Sequence, residues 1–274
     1  MKTTSIVVIL LVLMLLVGPC SIWCQTNNLP DQLNSAYKDK ILLLRNFYSG
    51  NNLAYDENGA LQGTGNPGPW TLAGVEIKGI GITEHGIEIV ANRMGTLYKD
   101  GKPGVVKIGT LKIQVSKRVT NDDTKAAIDL VVAKIFIDPT EDLRPLLPEF
   151  WTYYFSGEDL QSRSAAWQAT LEKSPLKPKD FSAGKLTPPH VDYAPDPGYS
   201  KEAESRHIEG TSLLSTMLDV SGTPVNVAIM QPLGMGLDEQ AVSTLKRWRF
   251  KPATLDGKAV PAHINIEITF RCCP

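Results

Sequence analysis

Residues 36–117 place apolar side chains in short runs separated by breaks rich in Gly, Asp and Asn, the pattern of strands joined by tight turns. The run over 40–48 is too short for an ordinary helix, and Asp56-Glu57-Asn58-Gly59 reads as a turn between Tyr55 and Leu61. Strands are predicted over 70–83 and 87–98, joined by Glu84-His85-Gly86. Asp100-Gly101-Lys102-Pro103-Gly104 then turns the chain into a strand over 105–115. Strands at this spacing predict a small antiparallel sheet or a partly closed barrel. After it the period changes. Thr120-Asn121-Asp122-Asp123 can cap a helix in which Ala126, Leu130, Val131 and Ile135 share a face, and a second helix is expected to open at Pro139-Thr140-Glu141-Asp142. Phe150, Trp151, Tyr153, Tyr154 and Phe155 are the densest aromatic cluster of the chain. They are read as a cover for an open sheet face, with a ligand groove as the sharper alternative.

Pro175, Pro178, Pro188, Pro189, Pro195 and Pro197 interrupt the stretch 174–197, which lacks the periodicity of a core element and is read as a semi-rigid spacer. Beyond it the order is short helix, strand, turn, strand, helix, strand. Ser200 to His207 reads as a helix, and 211–220 and 225–230 as strands joined by Ser221-Gly222-Thr223-Pro224. Leu237, Ala241, Val242 and Leu245 fall on one helix face after Gly234 and Gly236. Asp256-Gly257-Lys258 makes a turn, and Ile264, Ile266, Ile268 and Phe270 alternate along a last strand.

The first residues are of another kind. An unbroken apolar run from Ile6 to Val17 follows Lys2. At about 1.5 Å per residue it reaches only about 18 Å, short of the roughly 30 Å hydrocarbon core. Residues 1–25 therefore read as a secretory signal, with an uncleaved anchor reaching Trp23 as the alternative. Pro19 directly before Cys20 argues against a lipoprotein box. Cys272 and Cys273 are adjacent, so a bond between them would be strained, and free thiols or an intermolecular bond fit better.

Composition then narrows the function. With 274 residues, 21% charged and 42% hydrophobic, the chain suits one or two globular domains. Its 28 Lys and Arg against 29 Asp and Glu give no basic excess for phosphates, so nucleic-acid binding is not expected.

Five blocks of the C-terminal region carry a resemblance: Tyr199-Ser200-Lys201-Glu202-Ala203, Ile208-Glu209-Gly210-Thr211, Asp219 through Val225, Gly236-Leu237-Asp238, and Lys246-Arg247-Trp248-Arg249-Phe250-Lys251-Pro252-Ala253. In order and spacing they resemble the C-terminal domain of the TonB family of energy transducers. The resemblance implies a periplasmic module that binds a short extended segment of an outer-membrane receptor by adding a strand to its sheet. Carried over, the partner-binding positions are Ala262, Ile264, Ile266, Ile268 and Phe270, with Pro197 and Tyr199 (and Asp196 beside them) contributing from the stretch before the first helix. A long alternating terminal strand agrees with this, because an edge strand offers unpaired backbone groups. Trp248, Phe250, Pro252, Gly210 and Gly222 belong to the structural motif, and Trp248 and Phe250 are expected to be packing residues. Lys246, Arg247, Arg249 and Lys251 read as a solvated face. The chain departs from the family in two respects: its apolar N-terminal segment holds no His, and a folded region stands where the family has a longer proline-rich spacer.

Enzyme signals are weak. Gly63-Thr64-Gly65-Asn66-Pro67-Gly68 satisfies a dinucleotide-loop search but contains Pro67 and leads into a strand, so it is read as a turn. His85, His190, His207 and His263 are scattered, and neither a nucleophile elbow nor a phosphate loop is present. The reading is an exported α+β protein without catalytic residues, metal or cofactor. It comprises a strand-rich domain with two helices over 31–165, a linker over 174–197 and a TonB-like domain over 199–274. Its partner would be an envelope protein, a TonB-dependent outer-membrane receptor being the candidate. The rival readings are a periplasmic protein holding a lipid or other apolar ligand in the N-terminal domain, and a homodimer.

Overall fold

The computed structural model describes residues 28–156 and 185–272. The expected signal or anchor, Cys20, Cys24, Cys273 and the first part of the proline-rich stretch lie outside them. Among the described residues no helix is long and apolar enough to cross a membrane.

The chain opens with α1 (Leu29–Tyr37), whose N-cap is Asn28, its side chain accepting from the Asp31 N–H. Leu29, Leu33 and Tyr37 lie one turn apart, and Leu33 is fully buried. A seven-stranded sheet follows: β1 (Ile41–Leu44), β2 (Asn52–Asp56), β3 (Leu61–Gln62), β4 (Gly74–Thr83), β5 (Gly86–Lys99), β6 (Lys102–Ser116) and β7 (Phe136–Ile137), in the order β3-β2-β6-β5-β4-β1-β7. The expected hairpins are present. Asp100 and Gly101 both take positive φ between β5 and β6, the backbone that a two-residue turn between twisted strands requires. The sheet is mixed where an antiparallel one was expected: β2 pairs with β6 in parallel, because the chain returns to β2 only after the β4-β5-β6 meander.

One face of this sheet is apolar, presenting Val75, Ile77, Ile87, Ile89, Ile113 and Val115, and shares its core with α1 and with α2 (Lys125–Ile135). Ile128, Val131, Val132 and Ile135 of α2 are buried, whereas Ala126 and Leu130, expected on that face, are exposed, Leu130 at 69%. The cap is Thr124, one residue beyond the expected 120–123. The next helix is also displaced. Pro139-Thr140-Glu141-Asp142 forms a turn closed by Asp138, and α3 opens only at Glu149 (Glu149–Ser156). Arg144–Leu146 make only a single 3-10 turn, and Pro148 explains the delay, since it disfavours helical backbone in Leu147, which is extended. With α1, the described residues of the N-terminal region hold three α-helices where two were expected.

The described part of the proline-rich stretch carries two short strands, β8 (Leu186–Thr187) and β9 (His190–Tyr193). The C-terminal region then runs α4 (Lys201–Glu204), β10 (Gly210–Leu218), β11 (Pro224–Gln231), α5 (Leu237–Leu245), β12 (Arg249–Lys251), β13 (Ala253–Leu255), β14 (Lys258–Val260) and β15 (Ala262–Phe270). Its main sheet has the order β11-β10-β15, β9 pairs with β12, and β8 pairs with β13. Helix α5 packs across β10 and β11, burying Leu237, Ala241, Val242 and Leu245 as the sequence spacing predicts.

The two regions share one hydrophobic core. The loop 232–236 sits on β5: Tyr98 N–H donates to the Leu233 carbonyl (2.9 Å), Met235 N–H to the Thr96 carbonyl (2.8 Å) and Gly236 N–H to Thr71 Oγ1 (3.0 Å). Gly234 is required there, having φ +87° and a Cα so close to β5 that any side chain would strike the Thr96 carbonyl oxygen. The aromatics of α3 face this seam. Trp151 is fully buried, edge-on to Trp70 at 5.3 Å between ring centroids, and Tyr154 meets Tyr98 at 5.7 Å. The aromatic cluster is therefore packing between regions, and α3 lies along β11, the strand at one edge of the C-terminal sheet.

Candidate functional site

Strand β15 forms because its residues alternate. Ile268 and Phe270 are buried, Ile264 and Ile266 are half-buried against the core, and Ala262 packs on the small cluster of Ala253, Leu255 and Val260. His263, Asn265, Glu267 and Thr269 lie on the exposed face. The register with β10 is unbroken from Gly210↔Phe270 to Leu218↔Ala262, and the hydroxyls of Thr211 and Thr269 approach to 3.2 Å across it. Ser215 Oγ and the ring of His263 make a further link between the two strands.

Among the described residues β15 has a strand neighbour on one side only, β10. In an antiparallel pair, alternate residues direct both N–H and C=O away from the partner, so the outer side of β15 presents a row of backbone donors and acceptors. The opposite side of the sheet differs, because β11 has α3 alongside it. A cleft of about 510 Å³ adjoins the end of β15, lined by Asp196, Pro197, Tyr199, Thr269, Phe270 and Arg271. Tyr199 stands edge-on to Phe270 at 5.5 Å. The structure thus brings Pro197 and Tyr199 beside Phe270 at the end of β15, the strand that holds the other positions expected from the sequence.

Residues 195–272 match the family model of the Gram-negative bacterial TonB protein C-terminal. This TonB-like part has named relatives. The chain is 31% identical over 110 residues to Protein TonB of Vibrio cholerae, covering 37% of this chain and 45% of that protein. It is 36% identical over 78 residues to Protein tonB2 of Pseudomonas aeruginosa, covering 28% of this chain and 29% of that protein. The chain thus spans less than half the length of these curated relatives. Among solved structures, the solution NMR structure of the Pseudomonas aeruginosa TonB CTD aligns with 31% of this chain and 87% of its own, at 19% identity and a TM-score of 0.27.

The TonB-like motif residues have structural work. Phe250 is buried and Trp248 half-buried, its indole N–H donating to the Pro195 carbonyl (3.2 Å) and so holding the segment that leads to Pro197. Pro252, half-buried, separates β12 from β13. Gly222 has φ +78°, and a side chain there would strike the Phe250 carbonyl oxygen, while the Phe250 N–H donates to the Gly222 carbonyl (3.1 Å). Gly210 opens β10 at φ +151°, with Leu233 packed where a Cβ would point. Lys246, Arg247, Arg249 and Lys251 are exposed.

Two adjacent carboxylates organise the TonB-like domain: Asp238, which the resemblance included without a role, and Glu239, which the sequence did not single out. Asp238 is fully buried and accepts from Ser212 Oγ (2.7 Å), Leu233 N–H (2.8 Å) and Gly234 N–H (2.7 Å), fixing β10 and the loop on β5 together. Burial pushes its pKa up and outweighs the opposing hydrogen bonds. Its neighbour Glu239 accepts from the Trp151 indole N–H (2.8 Å), and burial lifts it to about 7, with the Asp238 charge adding in the same direction. Both lie in the first turn of a helix, where an acid is ordinary, so neither position nor, for Asp238, its place in the resemblance marked them as buried.

Proposed function

We propose that this is a non-enzymatic cell-envelope protein whose TonB-like domain captures an extended segment of a protein partner by strand addition along the outer side of β15. The observation that carries this is the single-sided pairing of β15 within a sheet whose other edge strand has a helix beside it. The backbone supplies affinity, and the cleft at Pro197, Tyr199 and Phe270 receives a partner side chain. By analogy with its relatives the partner is an outer-membrane receptor and the process transport across the outer membrane, with the protein exported to the periplasm. The rival reading, an apolar ligand within the N-terminal sheet, has less support, because the apolar face of that sheet is filled by Leu33, Ile128, Val132 and Ile135.

Paired proline substitutions test the proposal. Of two adjacent strand residues, one directs its N–H outward and the other toward β10. Of Ile266→Pro and Glu267→Pro, one should therefore lower stability through the ladder. The other should keep the fold and lose binding to a synthetic peptide from the N-terminal segment of an outer-membrane receptor. Undiminished binding by the folded variant contradicts the proposal.

A further inference from the structure

A second cleft, of about 570 Å³, opens at the seam between the two regions, where the turns around Phe47 and Trp70, the stretch before α3 and the first turn of α5 meet. Its walls are mainly apolar and aromatic, with Phe47, Pro69, Trp70, Leu146 and Pro148 beside the neutral polar Asn46 and Gln240, and among the described residues Glu239 is the sole charged side chain that lines it. Glu239 is half-buried. Its Oε1 is taken by Trp151, while its Oε2 is shielded from water and has no hydrogen-bond partner among the described residues. On the same wall Trp70 is 7% exposed and its indole N–H also lacks an acceptor.

A carboxylate oxygen held in apolar surroundings without a donor is costly, and more so when charged. The strongest group to satisfy it is a cationic N–H, and aromatic faces favour a cation beside them. We propose that this seam cleft binds a small organic cation, a primary amine on an apolar or aromatic body, whose body packs between Phe47, Trp70 and Pro148 and whose ammonium draws the Glu239 carboxylate out of its shielded position to accept from it through Oε2. An acceptor on the same molecule, such as a hydroxyl, would also meet the Trp70 N–H.

The site should respond to pH. The charged group facing Glu239 is Asp238 on its own helix, α3 presents the neutral Trp151, and among the described residues the other side chains that line the cleft are not ionisable. Burial holds Glu239 at about 7, and an ammonium beside it favours the ionised form. About one Glu239 in thirty is ionised at about pH 5.5 and nearly all at about pH 8, so a cation should bind about 30-fold tighter at the higher pH.

The test titrates the whole protein with benzylamine and, separately, with its neutral counterpart benzyl alcohol, following the indole N–H resonances of Trp70 and Trp151. Benzylamine is expected to shift both, to bind about 30-fold tighter at about pH 8 than at about pH 5.5, and to exceed benzyl alcohol at least tenfold at the higher pH. Glu239→Gln, with folding checked by its unfolding transition, is expected to remove the pH dependence. Should that variant not fold, the comparison of the two probes on the unaltered protein decides alone. Equal binding of the two probes, or no shift of the Trp70 resonance at about 10 mM benzylamine, overturns the proposal.

Discussion

The indole N–H of Trp151 donates to Oε1 of Glu239 across 2.8 Å and 88 residues of sequence. One residue closes the N-terminal region through α3; the other opens α5 of the TonB-like domain. With the three hydrogen bonds between the loop 232–236 and β5 or Thr71, this contact joins the TonB-like domain to the folded body beside it.

The Glu239 contact makes stability depend on pH. Its folded pKa, about 7, lies above the ordinary value of 4.5, so the native state holds a proton that the unfolded chain releases. The contribution is fully present below about pH 4.5 and is lost as pH rises through about 7. Glu239→Gln should therefore flatten the fall of melting temperature between those limits and be the more stable form at about pH 8. The difference should be on the order of 2 kcal/mol, allowing for partial exposure. Parallel pH–melting profiles of the two proteins would contradict this.

A shared core implies shared unfolding. Denaturant titrations of the protein should give one transition whether followed by tryptophan fluorescence or by far-ultraviolet circular dichroism. Trp151→Ala, which removes the largest fully buried side chain at the seam, should cost about 3–5 kcal/mol. Two separated transitions in the unaltered protein would show that the regions stand independently.

Gly234 and Gly257 both have positive φ, +87° and +78°, but only Gly234 lies against other backbone, that of Thr96 and Leu97. Gly257→Ala should cost about 1 kcal/mol through conformation alone. Gly234→Ala should cost at least about 2 kcal/mol more, because the seam must open. Similar melting temperatures for the two variants would argue against close seating of the loop on β5.

Asp238 accepts from three donors that have no water to replace it. Asp238→Ala should destabilise by about 3 kcal/mol or more. Asp238→Asn should be nearly as costly, since its amide nitrogen would face a donor. Thermal unfolding of both variants checks this, and a near-neutral Asn variant would contradict the arrangement.

Elements whose side chains follow one local period were legible in the sequence. Leu237, Ala241, Val242 and Leu245 define α5, and Ile264, Ile266, Ile268 and Phe270 define β15, because each set faces a single core. Asp100-Gly101 was legible because few residues tolerate two positive φ values in succession. Helix α1 has its signals in Asn28, Pro30 and the spacing of Leu29, Leu33 and Tyr37, but nine residues with one fully buried side chain give too short a period to stand out. Leu130 shares the apolar character of its neighbours, and only the packing of α2 turns it outward. Strands β8 and β9 carry little alternation and exist through pairing with β13 and β12, roughly 60 residues on. The seam could not be read at all, since Trp151 with Glu239 and Leu97 with Gly234 meet through the tertiary fold, without a local pattern.

The outer side of β15 can be observed directly by amide hydrogen exchange, resolved residue by residue, on the free protein and with a receptor-derived peptide. In the free protein, alternate amides of β15 should exchange fast while those directed at β10 are protected; with peptide, the fast set should become protected as well. Protection of every β15 amide in the free protein, or a fast set unchanged by peptide that binds, would contradict strand addition at this edge.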